Sequence, residues 1–440
     1  MSAAPLWLLV SFLTLPGYAA ESIEAQLQEI VTQNRRLQEQ VQAQQALIDK
    51  LSAEVAAMRG ATDRHEQELE TLKEREPNVG ATPSTLAPSS SVGMVRISGE
   101  AGLAFFSTGP TGRFPDSEFR VDDAKLFVEA QVWKDVYAFA EFNLFTREIN
   151  DEALHLGELY VDFENVSGLW NADNLLNVRV GRFNVPFGEE YQSRGVIKNP
   201  LISHSLSDLW GVDEGVEIYG AAGAFQYVLA VQNGGHSLLH DFDPDKSVTG
   251  RISYNPRRWL HLSASAMRTG NLSAKDDLLS ELWMGNGFFR PLGAVATTRT
   301  FHAELYELDA VARWKTGHLA AAVGRANYDD DDTSQDNART LDYHFVEIEQ
   351  GLGEKLYAAA RYSAMRVPGG YPLIGFGGFG RYFYSGLLTE RLERLSLGMG
   401  YRLGPPLVLK FEYAIEDGRA NTGVKREREN FLSTEVGLKF

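Results

Sequence analysis

Phe431-Leu432-Ser433-Thr434-Glu435-Val436-Gly437-Leu438-Lys439-Phe440 ends the chain, and it has two unlike faces. Leu432, Thr434, Val436, Leu438 and Phe440 fall on one side of an extended strand; Phe431, Ser433, Glu435, Gly437 and Lys439 fall on the other. Successive side chains of a strand alternate sides, so one surface is mostly apolar and the other more polar. The same period runs upstream. Leu407, Leu409, Phe411, Tyr413 and Ile415 alternate with Val408, Lys410, Glu412, Ala414 and Glu416. Leu395, Leu397, Met399, Tyr401 and Leu403 alternate with Ser396, Gly398, Gly400 and Arg402. Ala124, Leu126, Val128, Ala130 and Val132 alternate with Lys125, Phe127, Glu129 and Gln131.

From residue 94 to residue 440 this period predicts sixteen strands: 94–106, 118–131, 135–147, 154–165, 175–184, 212–220, 223–232, 247–255, 258–269, 300–314, 317–328, 339–351, 353–365, 391–403, 406–417 and 429–440. Connections after even-numbered strands are mostly tight, such as Trp133-Lys134, Ala221-Ala222, Pro256-Arg257 and Gly404-Pro405. Those after odd-numbered strands are long, 185–211 and 270–299 among them. A soluble sandwich can also have one polar face per sheet, but it lacks this asymmetry. Short turns alternating with long loops are how outer-membrane barrels are built. Beyond residue 20 no run of eighteen apolar residues occurs, so any membrane crossing has to use a closed barrel. An aromatic content of 11% suits a sheet-rich chain. The expected fold is an all-β transmembrane barrel of about 16 antiparallel strands, preceded by an N-terminal α-helical coiled coil.

Residues 1–20 read as a signal peptide: an apolar run from Leu6 to Leu15, then Pro16, then Gly17 and Ala19 as a small-x-small cleavage site. No Lys or Arg precedes the run; an uncleaved anchor is the other reading, although the run is short for a span. Residues 21–76 carry a heptad. Leu27, Val41, Ile48, Val55 and Leu69 occupy one seam position, and Ile23, Ile30, Leu37, Leu51, Met58 and Leu72 the other. Asn34 and Gln44 are polar seam positions suited to setting register. Residues 77–93, rich in Pro, Ser and Thr, form a flexible linker. An even strand count returns both barrel ends to one side, which places the coiled coil in the periplasm.

A barrel of this width leaves an aqueous channel. Strand parity assigns Arg96, Lys125, Glu129, Arg179, Arg251, Glu307, Arg361, Arg402, Lys410 and Glu412 to its lining, with no clear sign of ion preference. The 185–211 loop carries Val196, Ile197, Leu201, Ile202, Leu206 and Leu209, more apolar residues than an exposed loop has reason to hold. It is expected to fold into the lumen, where Glu189, Glu190, Arg194, Lys198 and Asp208 set the charge of a constriction; packing on a neighbouring protomer is the alternative.

Leu176-Asn177-Val178-Arg179-Val180-Gly181-Arg182-Phe183-Asn184-Val185-Pro186-Phe187-Gly188 resembles the phosphate-selective porin O and P family, in which V-G-(Q/R)-F-K leads into P-(F/L)-G. The resemblance spans most of 94–440, with this stretch as its one sharp motif. It implies a sixteen-stranded trimeric channel with an inward-folded third loop. Two positions depart from the family pattern. Asn184 stands where the family commonly has Lys, and Asp122-Asp123-Ala124-Lys125-Leu126 stands where it commonly reads Arg-Arg-Ala-Arg-Leu. The architecture is therefore carried over, the phosphate specificity is not, and Lys125 is the one basic position of that motif transferred. The terminal Phe440, with Leu438 and Val436 before it, resembles the assembly signal of bacterial outer-membrane proteins.

Other signals are weak. Gly375-Phe376-Gly377-Gly378-Phe379-Gly380 matches G-x-G-x-x-G but lies in a long loop, not between a strand and a helix. Asp329–Asp332 lacks the ligand spacing of a calcium loop. The chain has no cysteine, which excludes a thiolate metal site and a Cys nucleophile. A net charge of −17 argues against a nucleic-acid partner. No cofactor, metal or catalytic constellation is indicated, although a barrel enzyme acting at the surface stays open. The expected function is passive diffusion of small hydrophilic solutes or ions, anions such as phosphate included, through the Gram-negative outer membrane. The alternative is a structural tether acting through the coiled coil. Expected partners are outer-membrane lipid, the barrel assembly machinery and two further copies in a homotrimer; the heptad's β-branched seam points instead to a dimer.

Overall fold

The computed structural model describes residues 95–110, 114–145, 154–193, 195–207, 211–234, 244–273, 297–334, 336–371, 388–426 and 429–440. The expected signal peptide, coiled coil and linker lie outside the described residues.

Of eighteen strands among the described residues, two (Leu272–Ser273 and Lys425–Arg426) are only two residues long, leaving sixteen that build one sheet. They are β1 (Val95–Thr108), β2 (Glu118–Trp133), β3 (Val136–Phe145), β4 (His155–Phe163), β5 (Asn177–Asn184), β6 (Val212–Ala222), β7 (Phe225–Gln232), β8 (Ser247–Arg257), β9 (Leu260–Arg268), β10 (Thr300–Trp314), β11 (Gly317–Asp330), β12 (Arg339–Gly351), β13 (Leu356–Tyr371), β14 (Thr389–Gly404), β15 (Leu407–Ala420) and β16 (Phe431–Lys439). Each pairs antiparallel with the next, and β16 pairs back on β1 from Glu100↔Lys439 to Thr108↔Phe431, so the sheet has no free edge. This closed sixteen-stranded antiparallel barrel is the one the period predicts, with ends shifted by a few residues.

The alternation sets two environments. On β14 and β15 the outward Leu397, Met399, Phe411 and Ile415 are 46%, 50%, 41% and 44% exposed, whereas the inward Lys410 and Glu412 are buried. A continuous outer belt of large apolar side chains suits hydrocarbon, not water. Trp133, Trp259 and Trp314 stand exposed at the short-turn end, as interfacial aromatics do at the rim of a lipid-facing barrel. One strand breaks the rhythm. In β2 the register slips between Gly102↔Asp123 and Leu103↔Val121, which leaves Asp122 as an extra, fully buried residue in a bulge. Downstream of it Lys125, Phe127 and Glu129 keep the inward parity read from the sequence.

Candidate functional site

The interior is organised by the loop between β5 and β6. Its root is the Pro186-Phe187-Gly188 turn. Gly188 has φ 67, and a Cβ there would lie 2.2 Å from a Glu307 carboxylate oxygen, so neither the backbone nor the space admits a side chain. The turn is pinned to the wall: its amide donates to Ser265 Oγ (3.0 Å), and Arg251 donates to its carbonyl (2.5 Å).

From there the loop enters the barrel. Its contacts reach β8 and β9 on one side and β13, β14, β15, β16 and β1 on the other, a set of strands that can be met together only from inside the ring. Tyr357 of β13 donates to Pro200 O (3.1 Å), Arg361 to Ser203 O (2.7 Å) and to Asn199 Oδ1 (2.9 Å). Lys410 of β15 donates to Leu201 O (3.1 Å), and Arg394 of β14 to His204 O (3.2 Å). Glu412 accepts from the amides of Ile202 and Ser203 (2.7 Å each) and from Ser203 Oγ (2.5 Å). Buried backbone polar groups of a loop need partners, and this wall supplies them.

The apolar loop residues complete the packing. Ile202 joins Phe106, Phe114, Ala414 and Phe431; Leu206 joins Phe187, Met267, Phe301 and Tyr343; Leu201 packs with Tyr357 and Val408. Gly398 gives Leu201 its room, since a Cβ there would sit 2.5 Å from Leu201 Cδ2.

The residues assigned to the lining by parity divide into two groups. Arg251, Glu307, Arg361, Lys410 and Glu412 lie on the inner wall and are bound up with the loop or with one another. Arg361 pairs with Glu347, Lys410 with Glu435 (3.4 Å), and Tyr343 donates to Glu307 (2.7 Å). Arg402 reaches Glu349 (2.8 Å) over the Tyr357 ring. The second group stands on strands that carry none of these loop anchors. Arg179 meets Asp162 (2.7 Å) and Glu217 (3.3 Å); Lys125 meets Asp123 (3.5 Å) and Glu141 (3.8 Å). Glu129 lies opposite Arg96 on one side and Phe139 on the other.

Of the five loop charges, Glu189 and Glu190 are half-buried and Lys198 is exposed, its Nζ donating to Gln192 O (3.4 Å); Arg194 and Asp208 lie outside the described residues. Glu190 accepts from the amide (2.9 Å) and the hydroxyl (2.5 Å) of Ser205, a clasp within the loop. Phe440 is exposed, and its backbone bonds Gly99 of β1 through both N (2.9 Å) and O (3.0 Å). Asp162, Glu347 and Arg394 are partners that the sequence reading did not single out. Parity alone assigns them to the inner face; their importance comes from cross-strand neighbours that parity does not identify.

Glu189 ties the loop root to β8 and β9. It meets His261 Nε2 (2.9 Å), Arg251 (3.4 Å) and Ser253 Oγ (3.3 Å). Burial alone would raise its carboxyl, but the His261 bond and the Arg251 charge outweigh that and hold it below the ordinary glutamate range. A depressed folded value means that its contribution is complete above the ordinary glutamate range and is lost as the pH falls through the folded value. Glu189→Gln is therefore expected to cost about 1–3 kcal/mol at neutral pH. In thermal unfolding of detergent-solubilised protein, the gap to wild type narrows as the medium is acidified through the carboxylate range. A gap independent of pH would mean that the carboxylate charge is not what holds the root.

No family model matches the chain, and no curated protein matches it. Solved structures do. DcaP, an outer membrane channel of Acinetobacter baumannii, superposes with a TM-score of 0.52 at 13% identity, covering 80% of this chain and 99% of DcaP. OmpT, an outer membrane protein of Vibrio cholerae, gives 0.51 at 11% identity over 80% of this chain and 99% of OmpT. OprB of Pseudomonas putida gives 0.50 at 11% over 79% of this chain and 94% of OprB. At these identities the likeness is one of fold.

Proposed function

We propose that this chain is an outer-membrane diffusion channel for small hydrophilic solutes or ions, working down their gradients without a chemical step. One observation carries the reading. A loop is anchored inside a closed sixteen-stranded barrel by buried bonds, while the inner wall of β2–β4 keeps half-buried charged and aromatic side chains. A barrel meant only as an anchor has no need of a polar interior held at such cost in buried charge. The fold shared with an outer membrane channel supports the same reading. Lys125, Glu129, Arg179 and Arg96 would line the passage, and Glu189, Glu190 and Lys198 would face it from the loop.

Phosphate selectivity, which the porin O and P resemblance suggests, draws no support from the wall. An anion filter needs cations with charge to spare, and Lys125, Arg179, Arg361 and Lys410 each have a carboxylate partner. A homotrimer, inserted by the barrel assembly machinery with the 21–76 coiled coil in the periplasm, completes the proposal; one of the fold relatives is itself described as a trimer.

The test is the current through purified protein in a planar bilayer in potassium chloride. Steady single-channel steps support the reading; a folded, heat-modifiable barrel that conducts nothing overturns it. Removing residues 21–76 is expected to leave folding and conductance close to wild type, because residues 77–93 separate two different sequence periods. A truncated protein that no longer assembles would tie the coiled coil to barrel formation.

A further inference from the structure

Loop anchors cover the inner wall unevenly. Glu307, Asp309, Glu347, Arg361, Arg394, Lys410 and Glu412 on β10–β15 are buried, while the inner side chains of β2–β4 named next stay half-buried. On that less covered wall Phe127 of β2 stacks with Phe139 of β3 at 6.2 Å between centroids, and Phe139 stacks with Tyr160 of β4 at 5.1 Å. The register sets a carboxylate opposite each phenylalanine: Phe127 faces Glu141, and Phe139 faces Glu129. Glu129 makes no hydrogen bond or ion pair among the described residues. Among the described residues Glu141 meets a cation only at 3.8 Å, through Lys125, which is shared with Asp123.

The neighbouring strand carries a template for what such a surface holds. The Arg179 guanidinium lies 4.2 Å from the Tyr160 centroid and 5.3 Å from that of Tyr219, with Asp162 and Glu217 taking up its charge. Phe127, Phe139, Glu129 and Glu141 offer the same combination of ring faces and carboxylates.

We propose that the inner wall of β2–β4 is a binding strip for organic cations, in which an ammonium or guanidinium group rests on Phe127 and Phe139 between Glu129 and Glu141. This rests on the channel reading for its access to solute. An anion meets carboxylates in excess of cations on this strip, and a neutral sugar gains ring contact without the charge.

Two measurements on the full chain separate the claims. In a planar bilayer, choline chloride is titrated against the potassium chloride current, with glucose and sodium benzoate as the neutral and anionic probes. Isothermal titration of choline into detergent-solubilised protein reads binding without requiring conduction. Choline is expected to reduce the current saturably and more strongly than glucose or benzoate. Glu129→Gln and Phe139→Leu are each expected to raise the half-blocking and the half-saturating concentration about tenfold. Glu129→Gln is isosteric and breaks no ion pair, so it tests the strip even where Phe139→Leu fails to fold. Absence of saturable choline binding, stronger block by benzoate, or a choline affinity that Glu129→Gln leaves unchanged overturns the proposal. Choline binding without conductance would sink the channel reading and keep the strip; conductance without choline binding would do the reverse.

Discussion

Glu412→Ala is expected to unlatch the 185–211 loop from the wall. The carboxylate holds two amides and a hydroxyl of the loop while fully buried, so its removal strands Ile202 N and Ser203 N without an acceptor. Breaking a buried, charge-assisted cluster of this kind costs about 3–5 kcal/mol. The loop keeps Arg361 and Lys410 on its carbonyls and Ile202 in its apolar pocket, so the barrel itself is expected to survive. The readouts are protease sensitivity within 195–207 and flicker in the single-channel current, both rising while heat-modifiable mobility is retained. A loop as protected as in wild type would assign the docking to apolar packing of Leu201, Ile202 and Leu206. Glu412→Gln, which keeps the shape and one acceptor, should fall between the two.

Removal of residues 431–440 has the second large effect: no closed barrel. β16 is bonded on one side to β15 from Leu407↔Leu438 to Ala414↔Phe431, and on the other to β1. Without it two strand edges face hydrocarbon unpaired, at several kcal/mol for each orphaned backbone group. Heat-modifiable protein should be absent from the outer-membrane fraction. A truncated chain that still migrates as a folded barrel would require β15 and β1 to close directly in a fifteen-stranded ring. Phe440→Ala is a milder and more selective change. The backbone bonds to Gly99 persist, and what is lost is the ring lying against that glycine, worth about 1 kcal/mol. A fall in assembled yield much larger than the fall in stability would therefore point to recognition of the terminal residue during assembly.

The sequence by itself determined the barrel. Strand alternation is a local property, so Leu409, Phe411 and Tyr413 declare an outer face wherever the strand ends up, and tight turns between strands leave only antiparallel neighbours. The apolar content of 185–211 likewise marks the loop for burial, and Val196, Leu201, Ile202 and Leu206 are buried. What parity could not supply is the fate of each inward charge. Arg361 and Glu412 look like lining residues in sequence, yet they serve as the loop's partners across 158 and more than 200 residues of chain. Lys125 and Arg179 share their parity and stand on the less covered wall. The difference arises only when β16 closes on β1 and the loop lies across one side of the ring. Alternation is set by backbone geometry within a few residues, whereas charge pairing and the course of the loop depend on side chains that only tertiary closure brings together.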